Sequence, residues 1–229
     1  MPSIWQPAIS CPDGVPTTTG RKKKMKRKLG TAMIVAAAVL LIGAVGLYAY
    51  DSYRTHQAQA QSTEVMQQLS DTIYDRREEI QENTQPEEVT QPPARKTQMP
   101  TAEIEGETYV GYVGIPALEL ELPVTADWSY NKLLKSPCRF SGDMYTDDLV
   151  VMAHNYQWHF GTLKNLQPGD IVTFTDMDGD TVEYAVVTVD ILERTAVEEM
   201  IAGEYDLTLF TCTYGGKSRV TVRCNKVKK

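Results

Sequence analysis

From Leu29 to Tyr50 the chain runs LGTAMIVAAAVLLIGAVGLYAY without one charged residue. A helix of that length reaches about 33 Å at ~1.5 Å per residue, enough to cross the hydrocarbon core of a bilayer. The next segment, 51–82, is polar, lacks Gly and Pro, and places Val65, Leu69, Ile73 and Ile80 at near-helical spacing. That pattern predicts a stalk helix with a thin apolar stripe, too short for an independent coiled coil. Residues 83–105 turn acidic and Pro-containing, which predicts an extended linker. Basic segment, span, stalk and linker together predict that the rest of the chain is held away from the membrane surface.

From about Glu107 the texture changes to short runs rich in Val, Thr, Tyr and Ile: 108–116, 118–124, 148–155, 170–193, 205–212 and 218–224. Turn residues separate these runs every ten or so positions, as in an all-β domain. Helical stretches are few and short: 129–135, 160–166 and 196–202. Many short strands in one small domain predict a closed or nearly closed barrel, because closure removes exposed strand edges. A sandwich has the same pattern and stays open as an alternative.

Charge adds an orientation. Residues 1–28 hold seven of the 23 Lys+Arg and one of the 30 Asp+Glu, a net +6, leaving −13 for the rest. A body that acidic repels phosphates, which argues against nucleic acid as the partner. A basic tail (1–28) immediately before an apolar span (29–50) instead predicts a cytoplasmic N-terminus, with everything after Tyr50 outside. A cleaved signal peptide is the competing reading, but its apolar region is ordinarily ~7–15 residues. Met25 opens a more ordinary start than Met1, so translation is expected to begin there.

The candidate chemistry is sparse. Of four cysteines, Cys11 falls in the tail, while Cys138, Cys212 and Cys224 fall outside the span; of three histidines, only His154 and His159 lie in the β-rich domain. A cysteine transferase or hydrolase needs a thiolate, a histidine and an oxyanion stabiliser. In 207–212, Leu207, Leu209 and Thr211 alternate with Thr208, Phe210 and Cys212; in 219–224, Val220, Val222 and Cys224 alternate with Arg219, Thr221 and Arg223. With the aliphatic sets inside, Cys212 and Arg219 share the outward face of a hairpin closed by 213–218, with Cβ atoms about 4.5–5.5 Å apart if directly opposed. A guanidinium there stabilises a thiolate or an oxyanion.

Thr208-Leu209-Phe210-Thr211-Cys212 resembles the TLxTC motif of sortases. Arg219 falls where that family carries its catalytic arginine, and His154, ending the run 148–155, where it places its catalytic histidine. HFGTL and the later PGD resemble the family too, and the likeness spans about 107–229. The resemblance implies an eight-stranded β-barrel and a catalytic domain over 107–229, to which the stalk and linker read from the pattern, 51–106, are joined. It implies Cys212 as nucleophile, Arg219 as substrate and oxyanion ligand, and His154 as donor to the leaving amine, with no metal or organic cofactor. The partners implied are secreted proteins with a C-terminal sorting signal, and an amine acceptor on a cell-wall precursor or a pilin lysine. The location implied is the outer face of a Gram-positive cell membrane. Thr211 and Arg223 are further candidates for substrate contact. Residues 136–142 and 211–224 are similar to compact class B-like members, and no lid-like aromatic precedes the domain.

Bland readings stand beside these. His159 rivals His154 but reads as structural or groove-lining. Cys138 and Cys224 form a bridge or remain inert buried thiols. Asp176, Asp178 and Asp180 resemble the start of a calcium loop, but the Gly is misplaced and no Glu stands at the twelfth position. A hairpin turn around Asp178-Gly179 is expected there. A cell-wall cysteine peptidase and a non-catalytic envelope-binding module are the competing functions. The order His, then Cys, then Arg favours the transpeptidase.

Overall fold

The computed structural model describes residues 19–83 and 96–228; Cys11 and most of the predicted linker, 84–95, lie outside the described residues. The chain divides into two units between Arg54 and Thr55. Helix α1 (Thr19–Asn83) supplies the described part of the first unit and opens the second. In the first unit, Ala32–Tyr50 is 19 residues long and apolar enough to cross a membrane. Its aliphatic side chains are exposed, as lipid contact requires: Leu40 is 74% exposed and Ile42 73%.

In the second unit the predicted stalk turns out to be a strut laid on the domain. Val65, Leu69 and Ile73, four residues apart and so on one helical face, pack against Ile104, Tyr109 and Met177. Gln68 donates to Glu105 at 3.0 Å, and Arg76 pairs with Asp178 at 3.3 Å. Ile80, last of the predicted stripe, is 47% exposed. The end of the predicted linker is corrected as well. Met99 is buried in the core, and Ala102–Ile104 forms strand β1.

Eight further strands follow: β2 (Glu107–Ile115), β3 (Leu120–Thr125), β4 (Cys138–Ser141), β5 (Leu149–Met152), β6 (Ile171–Asp176), β7 (Thr181–Glu193), β8 (Leu207–Cys212) and β9 (Ser218–Lys226). They run in the order β2-β3-β4-β5-β8-β9-β7-β6, and β6 pairs back onto β2. The eight strands therefore form a closed barrel, with β1 an added edge on β2; among the described residues its connections include two short α-helices, α2 (Tyr130–Leu133) and α3 (Val197–Met200). Closure depends on Gly111, where β2 shifts register and meets Asp176 of β6. A Cβ on Gly111, at φ +144°, would collide with the Thr175 carbonyl, so only glycine fits.

Inward positions are aliphatic or aromatic. Val110, Val113, Leu149, Val151, Phe174, Leu207, Leu209 and Val222 are all fully buried in one core. Burying each such side chain contributes about 1.5–3 kcal/mol. The pairing that matters for chemistry is parallel: β5 lies beside β8, with Met152 opposite Phe210.

Candidate active site

β8 and β9 form the expected hairpin, and their register sets Cys212 directly opposite Arg219. The aliphatic set points inward as the alternation predicts: Leu207, Leu209, Val220 and Val222 join the barrel core. The opposite face is outward but covered. Phe210 packs with Val150 and Met200 in a small outer cluster, and its ring meets Phe140 edge-on at 5.3 Å. Only towards the end of the hairpin does this face become accessible, where Cys212 and Arg219 are half-buried.

His154 reaches the same place from the other side of β8. The Ala153 N–H donates to the Phe210 carbonyl at 3.2 Å, which extends the parallel ladder past Met152. The Thr211 hydroxyl then donates to the Ala153 carbonyl at 2.8 Å. Each residue in that bond immediately precedes a candidate catalytic one, so the link fixes His154 beside Cys212. Beyond His154 the chain doubles back: Phe160 N–H donates to the His154 carbonyl at 3.2 Å. A Cβ on Gly161 would sit 2.5 Å from the Asn155 carbonyl, which accounts for glycine in this tight return. The Tyr156 ring lies against the His154 imidazole at 4.9 Å. Burial holds the pKa of His154 below its ordinary value, because the imidazolium loses hydration. Among the described residues, neither Cys212 Sγ nor the His154 ring has a hydrogen-bonding partner.

The remaining sequence candidates divide differently from expectation. The Arg219 guanidinium donates to its own turn, to the Gly216 and Ser218 carbonyls at 3.2 and 3.1 Å. The Ser218 carbonyl also accepts from the Thr213 N–H at 2.9 Å, so it keeps a partner when the guanidinium moves to an anion. Thr211, expected to touch substrate, is 2% exposed and engaged with Ala153. Arg223, with the same expectation, is 6% exposed, and donates to the carbonyls of Met200 and Glu199 and to the Thr208 hydroxyl. It anchors the α3 segment over the outer face of β8. The two corrections have different causes: Thr211 belongs to the inward set of β8, whereas Arg223 is on an outward face that the α3 segment covers, because on a closed barrel an outward face is not always an exposed one.

Cys138 and Cys224 are free, fully buried thiols and form no bridge. They lie on β4 and β9 with β5 and β8 between them. Neighbouring strands are ~4.8 Å apart, so their Cα atoms lie outside the ~7 Å bridging limit. Burial pushes Cys138 up to about 11 and Cys224 up to about 12. His159 is wholly enclosed, 3.8 Å from the Trp158 ring, with neither ring nitrogen hydrogen-bonded. Burial drives its pKa down to about 3, against an opposing effect of the Lys135 backbone and with a smaller push from His154 in the same direction as burial. A histidine held neutral that far below neutrality does not donate protons at pH 7.

The aspartate turn is the predicted hairpin. Asp176 accepts the N–H groups of Asp178 and Asp180, both at 2.9 Å, and the Tyr145 hydroxyl at 2.6 Å. Lys96 pairs with Asp178 at 2.9 Å and Asp180 at 2.6 Å. Burial opposes the Lys96 charge, but these two carboxylates outweigh it and raise its pKa.

Sequence reading missed β4 and the aromatic run it supports: Phe140 meets Phe210, and Trp128 meets Phe140 at 6.3 Å. Four residues broken by a bulge leave too little alternation to find. The signal present was aromatic composition near Cys138.

The family model of the Sortase domain matches residues 113–227. No curated protein matches the chain. Among solved structures, sortase C of Streptococcus pneumoniae is similar at 23% identity and TM-score 0.50, covering 73% of this chain and 96% of that one. Sortase C1 of Streptococcus suis is 28% identical with TM-score 0.46, covering 53% and 74%. Sortase C of Clostridium perfringens is 20% identical with TM-score 0.46, covering 74% and 91%.

Proposed function

The chain belongs to the sortase family, whose members are cysteine transpeptidases, and from that membership we propose that Cys212, His154 and Arg219 are its catalytic residues. The observation that supports this most is one of register. Cys212 lies opposite Arg219 on β9, while the Thr211–Ala153 bond holds the chain at His154, just past the end of β5, alongside β8.

In the first half-reaction the Cys212 thiolate attacks the carbonyl carbon of the threonine in an LPxTG-like or NPxTx-like sorting signal. Arg219 leaves its turn carbonyls to hold the oxyanion, and His154 gives a proton to the departing amine as the C–N bond breaks. A thioester to Cys212 remains. An acceptor amine on a cell-wall precursor or a pilin lysine attacks it, the C–S bond breaks, and a new amide forms without ATP. Ala32–Tyr50 anchors the protein in the cell membrane, and the basic segment before it holds the N-terminus in the cytoplasm. The barrel then faces the cell wall of a Gram-positive cell. The solved relatives compared above are class C enzymes; for this chain we propose the class B-like reading, on residues 136–142 and 211–224.

The test uses the full chain in detergent micelles and quenched peptides of both signal classes. Cleavage, with an acyl adduct on Cys212 in the mass spectrum, is expected for the parent. Cys212→Ala should retain less than about 0.1% of that rate. A folded, reduced parent whose Cys212 also ignores a thiol-reactive probe would turn the reading towards an envelope-binding module. Adducts resolved only by water, with no amine accepted, would favour a cell-wall peptidase.

A further inference from the structure

A cavity of about 640 Å³ opens between the barrel and the part of α1 that belongs to the second unit. Gln59 and Met66 line it from the helix, Glu119 and Glu121 from the entry to β3, and Gln157 and Trp158 from the loop that follows His154. Its volume is within the ~300–1,000 Å³ of ordinary ligand sites. No lysine or arginine lines it. The carboxylates of Glu119 and Glu121 make no ion pair among the described residues, although other surface carboxylates of this barrel do.

The cavity is joined to the proposed catalytic site by aromatic rings. Trp158 stacks on Tyr156 at 5.5 Å and 21°, and Tyr156 lies against His154 at 4.9 Å. A ligand lying on Trp158 is therefore two ring contacts from the imidazole. Two unpaired carboxylates and an indole attract an ammonium group; Met66 accommodates methylenes; the two glutamine amides suit a peptide bond.

We infer that this cavity holds the lysine-type side chain of a short peptide acceptor while that peptide's other amine reaches the thioester on Cys212. The inference rests on the transpeptidase reading and assigns the second substrate its place. In the transfer the neutral attacking amine bonds to the thioester carbonyl carbon and gives its proton to His154. The C–S bond then breaks and Cys212 leaves as thiolate. The ammonium in the cavity takes no part in bond making; it orients the peptide.

The test compares glycyl-lysine amide with glycyl-norleucine amide, which has the same chain length without the ammonium. Both are offered to the acylated full-length protein in micelles. The parent is expected to show a KM for the lysine peptide roughly tenfold below that for the norleucine peptide, narrowing as salt rises. Glu119→Gln with Glu121→Gln should erase that difference while leaving signal-peptide hydrolysis unchanged. Equal KM values in the parent, or a preference that survives the double substitution, would overturn the inference. A second measurement does not depend on catalysis: glycyl-lysine amide titrated into Cys212→Ala should change tryptophan emission, and Trp158→Phe in that background should abolish the change. Saturable binding that needs Glu119, Glu121 and Trp158 supports the cavity even if no signal peptide acylates Cys212. Its absence in a folded protein refutes the cavity whatever the peptides do.

Discussion

Two polar clusters sit at opposite ends of the barrel. β6 runs antiparallel to β2, and β2 antiparallel to β3, so the β6–β7 turn lies at the end away from the termini of β5 and β8. At that turn Asp176, Asp178, Asp180, Tyr145, Lys96 and Arg76 are joined in one network in which every charge has a partner. At the other end Cys212 and His154 have no hydrogen-bonding partner among the described residues, and Arg219 holds only its own turn. The first cluster has more ionisable groups and stronger shifts, yet its groups are satisfied by one another. Saturated partners mark a structural knot; unsaturated groups brought together by register mark a place where a substrate completes the set.

The comparison breaks or sharpens at three positions. Arg219→Ala should lower kcat/KM about 100- to 1,000-fold, roughly 2.7–4 kcal/mol of transition-state stabilisation, with the denaturation midpoint unchanged. An unaltered rate with a lowered midpoint would reduce Arg219 to a cap on its turn. Asp176→Ala should do the reverse. It removes the acceptor of two backbone N–H groups at a fully buried position and leaves the Tyr145 hydroxyl only Asp180, at 3.0 Å, for a cost of about 1–3 kcal/mol in urea unfolding. The kcat per folded molecule should stay the same; a large fall in kcat would show that the two ends communicate.

The smallest effect concerns His159. Its folded pKa of about 3 lies below the ordinary 6.5, so the unfolded chain binds the proton first. The stability it contributes is therefore complete above pH 6.5 and declines as the pH falls from there towards 3. Urea unfolding at pH 5 should give a free energy about 2 kcal/mol below that at pH 7 from this group. His159→Phe should remove that part of the pH dependence; a variant with the parent's full slope would place the titration elsewhere, in the carboxylates.

Much of the barrel was legible because two-residue periodicity survives burial. Leu207, Leu209, Val220 and Val222 alternate with Thr208, Phe210, Thr221 and Arg223, and that alternation put Cys212 and Arg219 on one face. Alternation does not say what covers a face. Thr211 and Arg223 were candidates for substrate contact, but the Ala153 carbonyl just past β5 claims the first, on the inward set, and the α3 segment the second. The docking of α1 was hidden for a related reason. Val65, Leu69 and Ile73 form a stripe too thin to demand a partner helix, but it is wide enough to lie across β1 and β2. β1 itself was lost in the predicted linker, since three residues give no period.

The parallel pairing of β5 with β8 also sets when the site can exist. These neighbours lie more than fifty residues apart in sequence, with β6 and β7 between them, and β9, the last strand, enters between β8 and β7. No part of the chain that emerges early holds a reactive arrangement. His154 is made long before Cys212, and Cys212 is clasped on both sides only after β9 is in place. Contacts of such long range form slowly and late. The thiol thus gains its neighbours only as the barrel closes.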